Sequence, residues 1–184
     1  MTMLKIMAFS VAAMLGLFVS PVLAEGGAYQ IELIIFSQAM PNTEVFEQSG
    51  SQINWPTDLT ELSAYKKPDN TTLDDSYSAL SKDSAYRPLL HVAWVQQAGA
   101  PVHIQSSDGK LDGYLRMQQD QGLQVTVDLE FSANKDDGKA SAPYLRHAET
   151  AFIYRLNEKR AIKLNEVYYL DHPKFGVIAK ISPL

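Results

Sequence analysis

The sequence predicts an α+β fold that is predominantly an antiparallel β-sheet meander, with one short helix between the first two long strands and a long irregular loop. Residues 123–131 alternate strictly between apolar and polar side chains, which is typical of a strand with one face in the core and one in water. Residues 28–37 and 89–96 are apolar on both faces, which is typical of interior strands. These three segments support the fold prediction.

The single helix is predicted from residue spacing. Thr72 and Asp75 resemble a capping box, and Leu73, Tyr77 and Leu80 then recur at helical spacing until an Arg-Pro pair ends the pattern. We therefore expect one short amphipathic helix between the two strands that are apolar on both faces.

Loop and shorter strands account for the rest of the chain. Residues 38–72 have no sustained period and are rich in Pro, Asn, Ser and Thr, so we expect a long ordered loop and a candidate contact surface. The other predicted strands are 102–105, 113–119, 150–156, 161–170 and 177–181. A turn is expected at 157–159 and a β-bulge within 161–170.

Residues 1–24 have the pattern of a secretory signal peptide. Lys5 precedes an apolar run over residues 6–19, and Val22-Leu23-Ala24 forms a small-residue site, so we expect cleavage after Ala24. The run is shorter than the roughly 20 apolar residues that cross a bilayer, which favours export over an uncleaved anchor. Residues 25–184 are then expected to form a single periplasmic domain without stable membrane insertion after processing.

Charge and cysteine content exclude several classes of protein. The chain has 16 Lys and Arg against 21 Asp and Glu, and loss of Lys5 with the signal peptide leaves 15 against 21, a net charge of -6. Because no Lys and Arg cluster is present, neither nucleic acid nor an anionic membrane is an expected partner. Without cysteine, disulfides, thiolate catalysis and thiolate metal sites are excluded.

No catalytic motif is recognisable in the chain. Phosphate-binding glycine loops, G-x-S-x-G, H-E-x-x-H and Asp-rich calcium loops are absent from the sequence. Among the histidines, His172 is the best functional candidate, because Asp171 could orient its ring and Pro173 fixes the corner. The favoured interpretation is nevertheless a structural corner. We predict no catalytic residue, no metal and no cofactor.

Aromatic residues on the late strands suggest a binding surface. Sugar rings stack on exposed Tyr and Trp faces, and Arg recognises the carboxylates of peptides. Tyr154, Tyr168 and Tyr169, with Arg155 and Arg160 beside them, could form such a platform. The alternative is that these side chains are core residues or cross-strand pairs.

Four segments resemble the CsiV-type peptidoglycan-binding proteins of Gram-negative bacteria. They are YQIELIIFSQ, YRPLLHVAWVQQ, Leu111-Asp112-Gly113 and NEVYYLDHPKFGVIAKISP, and the resemblance covers most of residues 28–182. It implies a periplasmic, non-enzymatic protein that binds peptidoglycan and supports cell-wall synthesis. It further implies action through an outer-membrane lipoprotein activator on a class A penicillin-binding protein.

The candidate binding residues are our own inference from residue chemistry within these segments. They are Trp94, Gln96, Tyr154, Arg160, Tyr168, Tyr169, Asp171 and His172. Two other hypotheses remain, namely an adaptor that contacts only proteins and a small hydrolase or metal-dependent enzyme centred on Asp171 and His172.

Overall fold

The computed structural model describes residues 27–39, 52–133 and 152–184. The expected signal peptide and its cleavage site lie outside these ranges. The strands are β1 (Tyr29–Gln38), β2 (Thr60–Glu61), β3 (Tyr86–Gln96), β4 (Pro101–Gln105), β5 (Leu111–Gln119), β6 (Leu123–Ala133), β7 (Phe152–Ala161), β8 (Val167–His172) and β9 (Phe175–Pro183). Helix α1 spans Asp74–Lys82, and a single 3-10 turn spans Leu62–Ala64.

The strands form two separate sheets. The first has the order β3-β1-β9-β8 and is antiparallel throughout. The second has the order β2-β4-β5-β6-β7, in which only the short β2–β4 pair is parallel. The described part of the chain is thus mostly β-sheet with one α-helix, as the α+β prediction required. The division into two sheets was not expected.

The hydrophobic core lies between the two sheets. Ile31, Leu33 and Ile35 on β1 belong to this core, together with inward side chains from both sheets. The opposite face of β1 is also buried, because Ile34 and Phe36 pack in a second cluster that includes residues around helix α1. The helix, the first sheet and the second sheet therefore form three layers. This arrangement explains why β1 is apolar on both faces.

A buried carboxylate from β1 replaces the predicted capping box of helix α1. The residue before the helix is Leu73, and no side-chain bond of the capping-box kind is made there. Instead, Glu32 accepts bonds from the Thr72 and Leu73 amides at 2.7 and 3.1 Å, and from Thr72 Oγ1 and Gln30 Nε2 at 2.8 and 2.9 Å. Helix N-terminal amides need acceptors and favour negative charge. Glu32 therefore fixes the helix to the sheet.

The connection from the second sheet back to the first differs from the sequence prediction. The prediction of a turn at 157–159 is wrong, because β7 continues to Ala161 and pairs with β6 along its whole length. The chain turns at residues 162–166, where Asn165 has a φ of 65°, a conformation that Asn tolerates better than most residues. The shift of apolar positions within residues 161–170 therefore comes from this loop between the two sheets and not from a β-bulge. Within the described ranges, no helix is long and apolar enough to cross a membrane.

Candidate functional site

Trp94 and Gln96 lie in the protein interior. Both side chains are buried, and Trp94 Nε1 donates a hydrogen bond to Gln96 Oε1. Gln96 Nε2 also donates to the carbonyl of Ala100 at 3.4 Å. This pair orders the end of β3 and the following turn, and burial keeps both side chains from a ligand at the surface.

Asp171 and His172 point away from each other, because neighbouring residues of a strand face opposite sides of the sheet. The His172 ring contacts Tyr154 and Phe175, with centroid distances of 5.7 and 5.2 Å. Its Nδ1 accepts a bond from the Lys174 amide at 3.2 Å. Burial lowers the pKa of His172 below its ordinary value, against the opposing effect of the Asp171 charge. The orienting Asp–His hydrogen bond of the hydrolase hypothesis is not formed.

Tyr168 and Arg160 hold the connection between the sheets. The Tyr168 hydroxyl accepts from the Lys163 amide at 2.7 Å and donates to Glu166 at 2.9 Å. Arg160 Nη1 donates to the Tyr169 carbonyl at 2.9 Å, which occupies a backbone acceptor of the edge strand β8. Of the predicted residues, Tyr169 and Asp171 come together on one exposed surface, whereas Tyr154 and His172 contact each other on the opposite face of β8.

That surface is an aromatic row on the helix side of the first sheet, which we call the Tyr169 platform: Phe36, Gln38, Tyr86, Tyr169 and Asp171. The Tyr169 ring lies nearly parallel to Phe36, with 6.1 Å between centroids and 9° between planes. Tyr86 meets Phe36 edge-on at 5.4 Å. Phe36 is buried, whereas Tyr86 and Tyr169 remain 37% and 43% exposed. The two tyrosines are therefore available to a ligand.

Hydrogen bonds fix the polar edge of the Tyr169 platform. Tyr169 Oη donates to Asp171 Oδ1 at 2.7 Å, and Gln38 Nε2 donates to Tyr169 Oη and Asp171 Oδ1 at 3.1 and 3.0 Å. Partial burial, followed by the bond to Asp171, raises the pKa of Tyr169 to about 12, so the phenol stays protonated. Both bonds to Asp171 use Oδ1, which leaves Oδ2 to accept from a ligand.

Gly176 allows the aromatic rings to lie flat on the sheet. A Cβ atom at this position would lie 2.7 Å from Phe36 Cζ and 2.8 Å from Tyr169 Cε2. These distances are far shorter than van der Waals contact, so any larger residue would lift the rings. The Phe-Gly pair in the C-terminal segment thus has a specific role in the platform.

A second surface, which residue chemistry did not single out, lies on the outer face of the second sheet. We call it the Trp55 face: Trp55, His103, Asp112, Tyr114 and Arg116. Trp55 is 43% exposed, and its ring lies edge-on to His103 at 5.7 Å and 6.4 Å from Tyr114. The only sequence signal was the expectation that residues 38–72 form a contact surface, because Trp55 belongs to that segment.

His103 joins two carboxylates on the Trp55 face. Its Nδ1 is 2.9 Å from Glu61 Oε1, and its Nε2 is 2.7 Å from Asp112 Oδ1. A neutral imidazole has one N–H, so only the protonated ring donates to both. Partial burial lowers the pKa of His103, but the bonds to Asp112 and Glu61 outweigh it and raise the pKa above 6.5. Within the described ranges, no three such side chains are arranged to hold a metal ion.

We expect His103 to contribute stability that is lost as pH rises. The pKa of this group is raised by folding, so its contribution is complete below the unfolded value of about 6.5 and disappears as pH passes the folded value. Urea unfolding of wild type and His103→Gln from pH 5 to pH 9 should show a stability difference that shrinks with rising pH. His91→Gln is the control. A stability difference that does not change with pH would show that His103 is not a cation that donates to both carboxylates.

A buried ion pair joins β6, β7 and residues 52–58, which run along the outer face of the second sheet. Arg155 Nε and Nη2 donate to the two Asp128 oxygens at 2.8 and 2.7 Å, and Asn157 Nδ2 donates to Asp128 at 2.9 Å. Arg155 Nη1 also donates to the Gln52 carbonyl at 2.9 Å. The bond to Asp128 raises the pKa of Arg155, against the effect of burial. The pair therefore holds the chain at Gln52 against the second sheet.

The described residues form a two-sheet β protein with one helix, and its two aromatic surfaces carry exposed rings beside fixed hydrogen-bonding groups. The family model described as "Peptidoglycan-binding protein, CsiV" matches residues 56–184, and the chain belongs to this family. The resemblance noted in the sequence is thereby confirmed. Comparison with curated proteins and with solved structures gave no match. The family description supports a non-catalytic, cell-wall-associated binding role.

Proposed function

We propose that the protein binds peptidoglycan through the Tyr169 platform, with the glycan strand as the part that contacts the two tyrosines. The observation that carries the proposal is the exposed Tyr169 ring, fixed parallel to Phe36 with Asp171 at its edge. The apolar face of a sugar ring packs on such an aromatic face. Asp171 Oδ2 and Gln38 Oε1 can accept hydrogen bonds from sugar hydroxyl and amide groups, whereas the amide hydrogens of Gln38 are already used.

The proposed role is non-enzymatic. The two residues considered for catalysis lie on opposite faces of β8, and the Asp171 carboxylate bonds to the Tyr169 phenol instead of to an imidazole. Incubation of sacculi with the purified protein should leave the muropeptide profile unchanged. New products in that profile would overturn this part of the proposal.

Removing the Tyr169 ring should weaken binding to sacculi. Tyr169→Ala loses the stacking surface, and a loss of about 1.4 kcal/mol corresponds to about tenfold in affinity. Tyr169→Phe keeps the ring and should lose less. Co-sedimentation of the purified protein with intact sacculi, over a range of sacculus concentrations, measures both effects.

Val167→Ala is the matched control for this experiment. Val167 is exposed on β8 and lies outside the Tyr169 platform. Wild-type protein that stays in the supernatant would overturn peptidoglycan binding. A folded Tyr169→Ala variant that sediments as wild type does would overturn the placement of the site, since binding would then lie elsewhere.

We extend the proposal to the location and processing of the chain. Its support is the signal pattern at residues 1–24 and the cell-wall ligand of the family. Cleavage after Ala24 would give a single mature periplasmic domain of residues 25–184. Mass spectrometry of the periplasmic fraction should find an N-terminus at Glu25, and an intact Lys5 peptide there would contradict cleavage.

The proposed protein partners are a lipoprotein activator and its class A penicillin-binding protein, in support of cell-wall synthesis and cell shape. The family resemblance is what supports them. Crosslinking in growing cells should capture one of these proteins. Capture of a protein partner combined with no sedimentation on sacculi would favour the adaptor that contacts only proteins.

A further inference from the structure

We infer that the Trp55 face is a second binding site, which takes a short peptide with a free ammonium group and a free carboxylate. The inference rests on the proposed function, because stem peptides that an amidase has released from peptidoglycan have this chemistry. What carries it is an order of side chains along β5, in which an acid, an aromatic ring and a base follow one another on the outer face.

Asp112, Tyr114 and Arg116 occupy alternate positions of β5, and the residues between them face the core. Alternate residues of a strand are about 7 Å apart, so the acid and the base are separated by about 13 Å. An extended peptide of about four residues spans this distance. The row therefore matches a short peptide in length, with one charged end at each end of the row.

The basic end of the row has unused donors. Arg116 Nη2 bonds to Asp58 at 2.8 Å, in a pair whose carboxylate is 60% exposed. A guanidinium has five N–H groups, of which Arg116 Nε is buried without a partner among the described residues, so a ligand would meet the Nη groups. Exposed ion pairs are weak, so a ligand carboxylate can compete with Asp58 or bind beside it.

The acidic end of the row has an excess of negative charge. His103 in its protonated form neutralises one of the two carboxylates that it contacts, Glu61 and Asp112. Both carboxylates reach solvent, with side-chain exposures of 69% for Glu61 and 42% for Asp112. An ammonium group is the complementary ligand group here.

Trp55 supplies the apolar part of the site. Its ring is held by edge contact with His103, so it stays in place while 43% of its surface remains exposed. Small apolar groups such as alanine methyls would pack against this ring between the two charged ends. A glycan strand lacks the ammonium group and would not satisfy the acidic end, which is why a peptide is favoured.

The test uses the mature protein and two soluble probes, the stem tetrapeptide released from sacculi by an amidase and the peptide-free glycan strands left behind. Isothermal titration of each probe should give peptide binding that Arg116→Gln weakens by about tenfold, the value of one charge-assisted hydrogen bond. Trp55→Ala should weaken it similarly, and Tyr169→Ala should leave it unchanged. Glycan binding should be weakened by Tyr169→Ala and left unchanged by Arg116→Gln and Trp55→Ala.

Blocking the charged groups of the peptide tests the same site with wild-type protein, so it does not depend on a variant that folds. The N-acetylated and C-amidated tetrapeptide should bind wild-type protein at least about tenfold more weakly than the free peptide. Equal binding of the two peptides, or no binding of the free peptide, would overturn the inference. Glycan binding that persists in that case would leave the proposed function intact, whereas peptide binding without glycan binding would overturn only the Tyr169 platform.

Discussion

Alanine at position 113 should leave little stably folded protein. Gly113 has a φ of 151°, and a Cβ atom there would lie 2.1 Å from the Asp128 carbonyl oxygen and 2.7 Å from Leu129 Cα. Both atoms belong to the backbone of β6, which pairs with β5, so neither can rotate away. Strained φ and overpacking cost about 1 to 3 kcal/mol each, and together they remove much of the stability of a typical domain. Urea unfolding measures the loss.

Gly122→Ala separates the two contributions. Gly122 has a similar φ of 153°, but a Cβ atom there would have no neighbour within 4 Å. We expect this variant to lose only the backbone contribution, on the order of 1 to 3 kcal/mol. Equal losses for the two variants would show that the contact with β6 is not the cause.

Arg155→Met should destabilise the protein by about 3 to 5 kcal/mol, the usual result of leaving one charge of a buried pair alone. The Arg155 and Asp128 side chains are only 10% and 2% exposed, and two parallel hydrogen bonds join them. Without the guanidinium, the Asp128 carboxylate keeps only the bond from Asn157. The free energy of unfolding in urea gives the magnitude.

Two further variants show whether the buried charge is the cause. Arg160→Met removes a more exposed arginine from the same strand, which pairs with Glu158, and should cost less than about 1 kcal/mol. Asp128→Leu added to Arg155→Met should recover most of the loss, because no buried charge remains. A cost for Arg155→Met as small as that for Arg160→Met would refute the argument.

The strands were predictable because their signal is local. The alternation in residues 123–131 and the doubly apolar β1 follow directly from which faces are buried, and both segments form strands. Residues 157–159 were misjudged because polar residues also suit a strand face when a partner is present, as Asn157 shows beside Asp128. The division into two sheets depends on pairing between distant segments, for which a single sequence has no local signal.

The candidate site was predictable only in part. Tyr169 was chosen as an aromatic residue of a late strand and Asp171 for its place beside His172 and Pro173, but Gln38 bonds to both from 131 and 133 residues away. Phe36 and Tyr86 likewise come from β1 and β3. Trp94 was chosen for its residue type, although a strand that is apolar on both faces favours burial of its aromatic side chain. The Trp55 face required knowledge of which strand faces point outward.

The pairing of β1 with β9 has a consequence for the order of folding. Ile31 lies opposite Ile181, so the two middle strands of the first sheet are 150 residues apart in the chain. Contacts between such distant segments require closure of a large loop and slow the folding of a domain. The first sheet cannot be completed until the last strand is available. Until then the chain lacks its full core, because Val177, Ala179 and Ile181 of β9 belong to it.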